Sequence, residues 1–460
     1  MADTARAPGE GSENLEEVTE ALLRTVLEHL EYGRIDEIRA IAHDLSPAGA
    51  AYLLEQVNPE ARTQLVGILK RDLDPETLVE LDEDVREEVL EALEPKDIAE
   101  AAHELDTDDA ADILEDLPDE ERREVLAALP ADERAAIEET LAFPEYTAGR
   151  LMQRELVAVP ATWTVGQVID YCREASDLPD DVYDLFVVDE RRRLMGSVAL
   201  GRMLRTKRPV PITEIMDPEI PSIPVTAEQE EVAHIFRDQN LVSCPVVDPS
   251  NRLLGVIMVD DVLDVIDEEA EDDLLKMGGV REDDVHAPVV RTARQRFWWL
   301  LVNLGTALLA SAVIGQFEEE LQKIVALAVL MPIVASMGGN AGTQTVTVAV
   351  RALAMGELTI ANIARFVVKE IFVGGANGLI FALILGVITW AWFHDPRIGL
   401  IIAAAMVINL VCAALAGTLI PLGLQRAGVD PAVSSTVFLT TVTDVVGFLA
   451  FLGLAAVFLL

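Results

Sequence analysis

The run TVFLTTVTDVVGFLAFLGLAAVFLL, residues 436–460, is apolar or hydroxylated except at one position, the carboxylate Asp444. Burying an ionised acid in hydrocarbon costs several kcal/mol, so Asp444 must face a partner, a water-filled cavity or a bound ion. No basic side chain lies deep inside another apolar run to neutralise it, and an unpaired charge in a packed interior is destabilising. A second stretch, ALAVLMPIVASMGGNAGTQTVTVAVRAL, is also unusual. Pro332 removes a backbone donor, Gly338, Gly339 and Gly342 thin the helix, and Asn340, Thr343 and Gln344 supply oxygens. Gly338 and Gly342 also fit close helix packing, which explains them as well as ion binding does. Carboxylate, amide, hydroxyl and carbonyl oxygens with no nearby His or Cys suit a hard cation. A magnesium-like ion that keeps several waters needs few protein ligands.

These residues need elements that cross a membrane, which takes about 20 helical residues for roughly 30 Å of hydrocarbon. Five runs qualify, near 297–316, 322–350, 364–393, 398–424 and 432–460. With about 1.5 Å rise per residue, Asp444 falls roughly 18 Å along a helix that starts at Ala432, near the bilayer midplane. Arg291, Arg294, Arg296, Arg351, Arg365, Lys369 and Arg426 collect on one side, and Glu318, Glu319, Glu320, Lys323 and Arg397 on the other. That bias predicts a cytoplasmic amino-terminal part and an external carboxyl terminus. The opening MADTARAPGEGSENLEE is polar and acidic, in keeping with this orientation. Five spans enclose a pore poorly, so a homodimer is expected, with two Asp444 carboxylates near one axis.

The remainder is strongly acidic. Residues 1–286 hold 26 Lys and Arg against 71 Asp and Glu, a formal charge of −45, while the apolar part is near neutral. Such a surface repels nucleic acid and anionic lipid, and calls for cations among its carboxylates. The three cysteines are far apart and form no C-x-x-C pair, which argues against a disulfide framework or structural zinc site. The six histidines form no metal or catalytic spacing and no nucleophile motif is present, so an enzyme is the weakest reading.

Residues 1–14 read as a disordered N-terminus and 15–145 as an acidic, all-α superhelical domain. Within it LPDEERREVLAA and LPADERAAIEET repeat at a 12-residue offset, each with a proline near a helix start. A clearer duplication follows: VVDERRRLMGSVALGRML at 187–204 aligns with VVDPSNRLLGVIMVDDVL at 246–263. Each half predicts strand, helix, strand, glycine-marked turn, strand, helix. This pattern resembles a tandem α/β CBS pair, here 146–209 and 210–266, a module that often binds adenosyl nucleotides and so implies an ATP site. Residues 260–290 form an acidic connecting helix and linker, with nine acids among the fourteen residues from Asp260 to Asp273. Like charges one turn apart destabilise it unless counter-ions intervene. Residues 291–460 form the five-helix transmembrane domain.

The acidic helical domain, CBS pair, connecting helix, five spans, MGGNAGTQ and TTVTDVVGF together resemble the MgtE-type magnesium channels over nearly the whole chain. The resemblance implies a homodimer in a bacterial cytoplasmic membrane that passes Mg²⁺, with cytoplasmic Mg²⁺ closing the pore. It places pore contacts at Asp444, Asn340, Ser336, Thr436 and Thr440. Its cytoplasmic sensor carboxylates fall on Glu76, Asp108, Asp112, Glu228, Glu230, Asp261, Glu269, Asp272 and Asp273, with Asp430 at the entrance of the last span. Asn240 stands where the family can carry an acid. Two other readings remain: a transporter of another divalent cation such as Co²⁺ or Mn²⁺, and a membrane-bound metal or nucleotide sensor without transport.

Overall fold

The computed structural model describes residues 19–175, 178–179, 182–280, 289–359, 361–433 and 435–459. The expected disordered stretch 1–14 and linker residues 281–288 lie outside them. The chain forms two compact units, Met1–Glu269 and Ala270–Leu460.

The first unit begins with short helices α1 (Glu20–Glu31), α2 (Ile35–Asp44), α3 (Pro47–Gln56), α4 (Pro59–Leu69) and α5 (Glu76–Val79). It continues with α6 (Glu83–Glu91), α7 (Pro95–Glu104), α8 (Thr107–Glu115), α9 (Asp119–Ala128), α10 (Ala131–Thr140) and α11 (Ala148–Leu151). Local sequence starts them. Ser46 accepts from Gly49 N and Asn58 from Ala61 N, each ahead of a proline at the first helical position. In the repeated LP units, Pro118 and Pro130 occupy the N-cap positions of α9 and α10 without a side-chain capping bond. Two arginines then close the preceding helices. Arg62 donates to the carbonyls of Leu54, Glu55 and Val57, and Arg122 to those of Leu114, Glu115 and Leu117. One apolar core runs from Val26 to Ile137.

Two equivalent halves follow. The first is β1 (Ala158–Pro160), α12 (Val165–Glu174), β2 (Asp184–Val188), β3 (Leu194–Ala199) and α13 (Leu200–Leu204). The second is β4 (Ile223–Pro224), α14 (Gln229–Gln239), β5 (Ser243–Val247), β6 (Leu253–Met258) and α15 (Val259–Gly278), the last being the acidic connecting helix. In each three-stranded sheet the first pair is parallel and the second antiparallel, with a bulge at Val187/Val188 and at Val246/Val247. The halves exchange reciprocal hydrogen bonds: Leu194 N donates to Asn251 O, and Leu253 N to Arg192 O, both at 3.0 Å. These residues and the bulges correspond under the duplication read from the sequence.

The expected glycine-marked turn is different in the structure. Each turn is built by an aspartate, Asp189 or Asp248, whose carboxylate accepts from backbone amides two and four residues on. Arg192 and Asn251 supply its left-handed residue. Gly196 and Gly255 lie inside β3 and β6, where neighbouring backbone comes close. A Cβ at Gly255 would sit 2.6 Å from Gln153 O and 2.9 Å from Met152 Sδ.

The second unit contains α16 (Val289–Gly315), α17 (Glu318–Lys323), α18 (Val325–Ala354), α19 (Ile363–Phe393), α20 (Pro396–Arg426) and α21 (Ser435–Phe458). All but α17 are long and apolar enough to span a membrane. Pro332 does not break α18, which runs through it for 30 residues. The glycines serve close packing: a Cβ on Gly342 would lie 2.6 Å from Leu439 of α21, and one on Gly417 would lie 3.0 Å from Gly342 O. Gly255→Val is expected to destabilise the protein by about 2 kcal/mol through overpacking against Gln153, read as a lower unfolding midpoint in urea.

Candidate cation sites

In the membrane unit, α18 carries two opposed faces. Leu327, Leu330, Val334, Gly338, Gly342, Thr345, Val346 and Ala349 are buried, while Ser336, Asn340, Thr343 and Thr347 are exposed. Asn340 Nδ2 donates weakly to Ser336 Oγ at 3.5 Å, and each threonine hydroxyl returns to a carbonyl one turn back. On α21, Thr436, Thr440 and Asp444 share one face at four-residue spacing. Asp444 lies about 14 Å from the start of a helix about 36 Å long, still within the hydrocarbon. It is half-buried, and among the described residues no hydrogen bond or ion pair joins it to Asn340 or to any other side chain.

The end of α15 meets these helices. Thr436 Oγ1 donates to Met277 O at 2.7 Å, and Met277 packs on Val346, Val350, Ala416, Ala432 and Leu439. Lys276 pairs with Asp272 and, at 2.9 Å, with Asp430, whose other oxygen accepts from Ala432 N. Burial works to lower the Lys276 pKa, but the hydrogen bonds and charges of Asp272 and Asp430 outweigh it, and the ammonium is held above its ordinary range. Two carboxylates expected to sense an external cation therefore hold an internal one; Asp272 reaches Lys276 at i,i+4 on the same helix, whereas no local spacing joins Lys276 to Asp430.

In the soluble unit, carboxylates from three helices crowd together. Asp108 and Asp109 open α8, Glu76 opens α5 with Glu80 just beyond it, and Asp260, Asp261 and Asp264 lie in the first turns of α15. Burial, then Asp261, Asp109 and Asp106, push Asp108 well above the usual carboxylate range. Burial with Asp106, Asp112, Glu76 and Asp260 lifts Asp109 to about 7. Burial with Asp260 and Asp109 lifts Asp261 to about 8, against a hydrogen bond from Met258 N. Glu80 is raised by burial, Asp264 and Glu76. Asp109, Glu80, Asp260 and Asp264 thus join the expected Glu76, Asp108 and Asp261. The donors are oxygens suited to a hard cation, yet among the described residues no three metal-binding side chains converge on one point. A hydrated ion bridging separated carboxylates fits this arrangement better than a tight cage.

Of the other expected sensor residues, Asp112 borders this cluster and the rest lie elsewhere. Asp112 is bound at 3.0 Å by the buried Arg86, which also holds Asp116 at 2.5 Å. Glu269 accepts from Gln229 Nε2 at 2.9 Å, Glu228 caps α14, and Glu230 is exposed near His234. Asp273 lies in the last turns of α15, half-buried. Asn240 ends α14 in a left-handed conformation, which asparagine tolerates. Around the acidic cluster, Thr107 donates to Glu155 at 2.7 Å and Arg154 pairs with Glu139 at 3.0 Å, fixing the helical part to the first strand region.

Five apolar helices with an oxygen-lined polar seam, joined to a soluble unit that concentrates carboxylates, define a multi-pass membrane protein of the cation-transporter class. Residues 331–454 match the MgtE divalent cation transporter family, 45–146 the MgtE intracellular N domain and 212–268 the CBS domain. The magnesium transporter MgtE of Thermus thermophilus is 34% identical over 329 residues, 71% of this chain and 73% of that protein. The MgtE of Enterococcus faecalis is 32% identical over 70% of this chain and 71% of its own length, and that of Bacillus subtilis 27% over 96% and 98%. The solved cytosolic domain of an MgtE Mg²⁺ channel in complex with ATP is 31% identical and covers 53% of this chain and 99% of its own, with a TM-score of 0.49. This chain belongs to the MgtE family, and its soluble unit is accordingly cytoplasmic.

The raised carboxylates set a direction for stability. From about pH 4 to 8 the folded state holds more protons than the unfolded one, so stability without divalent cations falls as pH rises. We expect calorimetry of the whole protein in chelator to show a higher unfolding temperature at pH 6 than at pH 8. Added Mg²⁺ should raise it more at pH 8, where the carboxylates are ionised.

Proposed function

We propose that this protein is a magnesium channel that admits Mg²⁺ to the cytoplasm and is closed by Mg²⁺ there. The observation that carries the reading is Asp444, a half-buried carboxylate within a span, with no protein partner among the described residues and a hydroxyl ladder on its own face. Asp444, Asn340, Ser336, Thr436 and Thr440 contact the hydrated ion. The exposed polar face of α18 is left open in a single chain, which supports a homodimer that encloses it, with the carboxyl terminus external. Family membership supports Mg²⁺ as the cargo, since the matched relatives are named magnesium transporters.

Regulation follows from charge. In this reading, 15–145, 146–209, 210–266 and 260–290 act as separate parts of one sensor. Mg²⁺ bridges Asp108 and Asp261 with Glu76, and further ions use Asp112, Glu228, Glu230, Glu269, Asp272, Asp273 and Asp430. Without Mg²⁺ the carboxylates repel, and α15 withdraws from Thr436. ATP binding to the CBS pair modulates this equilibrium; the ATP complex of the related cytosolic domain supports testing it.

In liposomes holding purified protein, Asp444→Ala is expected to reduce Mg²⁺ flux at least about tenfold, a loss the size of removing a needed ligand shell; full flux would refute the pore site. Competition by Co²⁺ and Mn²⁺ tests the cargo, and absence of any flux would favour a sensor without transport. Lys276→Met removes the internal cation between Asp272 and Asp430. It is expected to leave residual flux at cytoplasmic Mg²⁺ levels that silence the wild type, measured with a fluorescent Mg²⁺ indicator.

A further inference from the structure

The pore reading requires α18 to present Asn340 and Ser336 to the ion path, yet a helix among lipid and apolar helices gains little rotational preference from hydrophobic burial. Close packing and polar contacts must decide which way it faces. Two buried polar side chains make such contacts on its far side.

Asn409, midway along α20, is fully buried. Its Nδ2 donates to Val334 O of α18 at 2.8 Å. The amide is wedged between Gly338 of α18 and Gly447 of α21. A Cβ on Gly447 would come within 2.8 Å of Nδ2, and one on Gly338 closer still. Among the described residues its Oδ1 has no hydrogen-bond partner. Keeping a buried amide with one atom unsatisfied costs stability that a leucine of similar size would not, so apolar packing does not account for it. The second contact comes from Glu370 of α19, also buried, whose Oε2 accepts from Thr345 Oγ1 at 3.4 Å. Gly374, one turn on, brings α19 close to α20: its Cβ would lie 2.8 Å from Leu410 O, beside Asn409.

At about 100° per residue, Val334, Gly338 and Thr345 centre about 180° from Ser336, Asn340, Thr343 and Thr347. Both contacts therefore grip the face opposite the polar seam. We propose that Asn409 and Glu370 are positioning residues that lock the rotation of α18, so that Asn340 and Ser336 face the hydrated ion. This rests on the pore reading, but rotation has its own readout.

The test uses the full-length protein with Cys172, Cys244 and Cys412 replaced by serine and one reporter cysteine, Thr347→Cys on the exposed face or Ala349→Cys on the buried face. A water-soluble thiol reagent should label the first at least about tenfold faster than the second. Asn409→Leu should collapse that contrast and lower the Mg²⁺ over Co²⁺ flux ratio by about tenfold, the scale of losing an outer-shell partner. Glu370→Leu, as a second variant should the first fail to fold, should act likewise. Glu370→Gln should restore the contrast, because its amide oxygen still accepts from Thr345. An unchanged contrast in both leucine variants overturns the proposal, as does a parent protein that labels both positions equally. Full flux in Asp444→Ala with a collapsing contrast would instead refute the pore reading and leave the rotational lock standing.

Discussion

Carboxylates need positive charge or water beside them, and both units of this protein are arranged around that need. In the membrane, Asp444 sits where hydrocarbon would not tolerate it and where, among the described residues, no basic side chain reaches it. In the soluble unit, burial and the neighbouring acids hold Asp108 well above the usual carboxylate range, and lift Asp109 to about 7 and Asp261 to about 8. A hydrated divalent cation answers both problems. In the reading proposed here, the ion that the pore conducts is the ion that the regulatory carboxylates lack.

The protein also supplies some counter-charge itself. Arg86 holds Asp112 and Asp116, and Lys276 holds Asp272 and Asp430. Buried or half-buried pairs of this kind fix geometry more than they add stability, because desolvation offsets much of the attraction. Their consequence is a division of labour. Asp112, Asp116, Asp272 and Asp430 each have a basic side chain beside them, whereas among the described residues no ion pair joins Asp108 or Asp261 to a basic side chain. The Lys276 pair and the Thr436 bond to Met277 hold the end of α15 on the last span through contacts that do not need a dissolved ion.

The membrane helices follow a parallel logic. Apolar surface alone does not orient α18, so glycines set how close its neighbours come, and Asn409 and Glu370 supply direction. The same glycines that looked like thin points in a loosened helix are the places where α20 and α21 press against it.

Much of this was legible in the chain. Asp444 stood out because one charge in a long apolar run has few explanations, and the five spans follow from length and hydropathy. The CBS duplication was visible because a fold repeated in one chain leaves its spacing in the sequence. The turn chemistry is less legible: the glycine spacing points to Gly196 and Gly255, but Asp189 and Asp248 build the turns and the glycines answer to a distant backbone. Spacing along the chain reports what each residue can do with its near neighbours, so it determined the helices, the strands, the acidic excess and the acid in the membrane. Only the tertiary structure decided which distant carboxylates met a lysine or arginine, as Asp430 met Lys276 and Asp112 met Arg86, which met each other, and which side of α18 an asparagine 75 residues away would hold. Those choices depend on contacts between segments that the sequence does not place side by side.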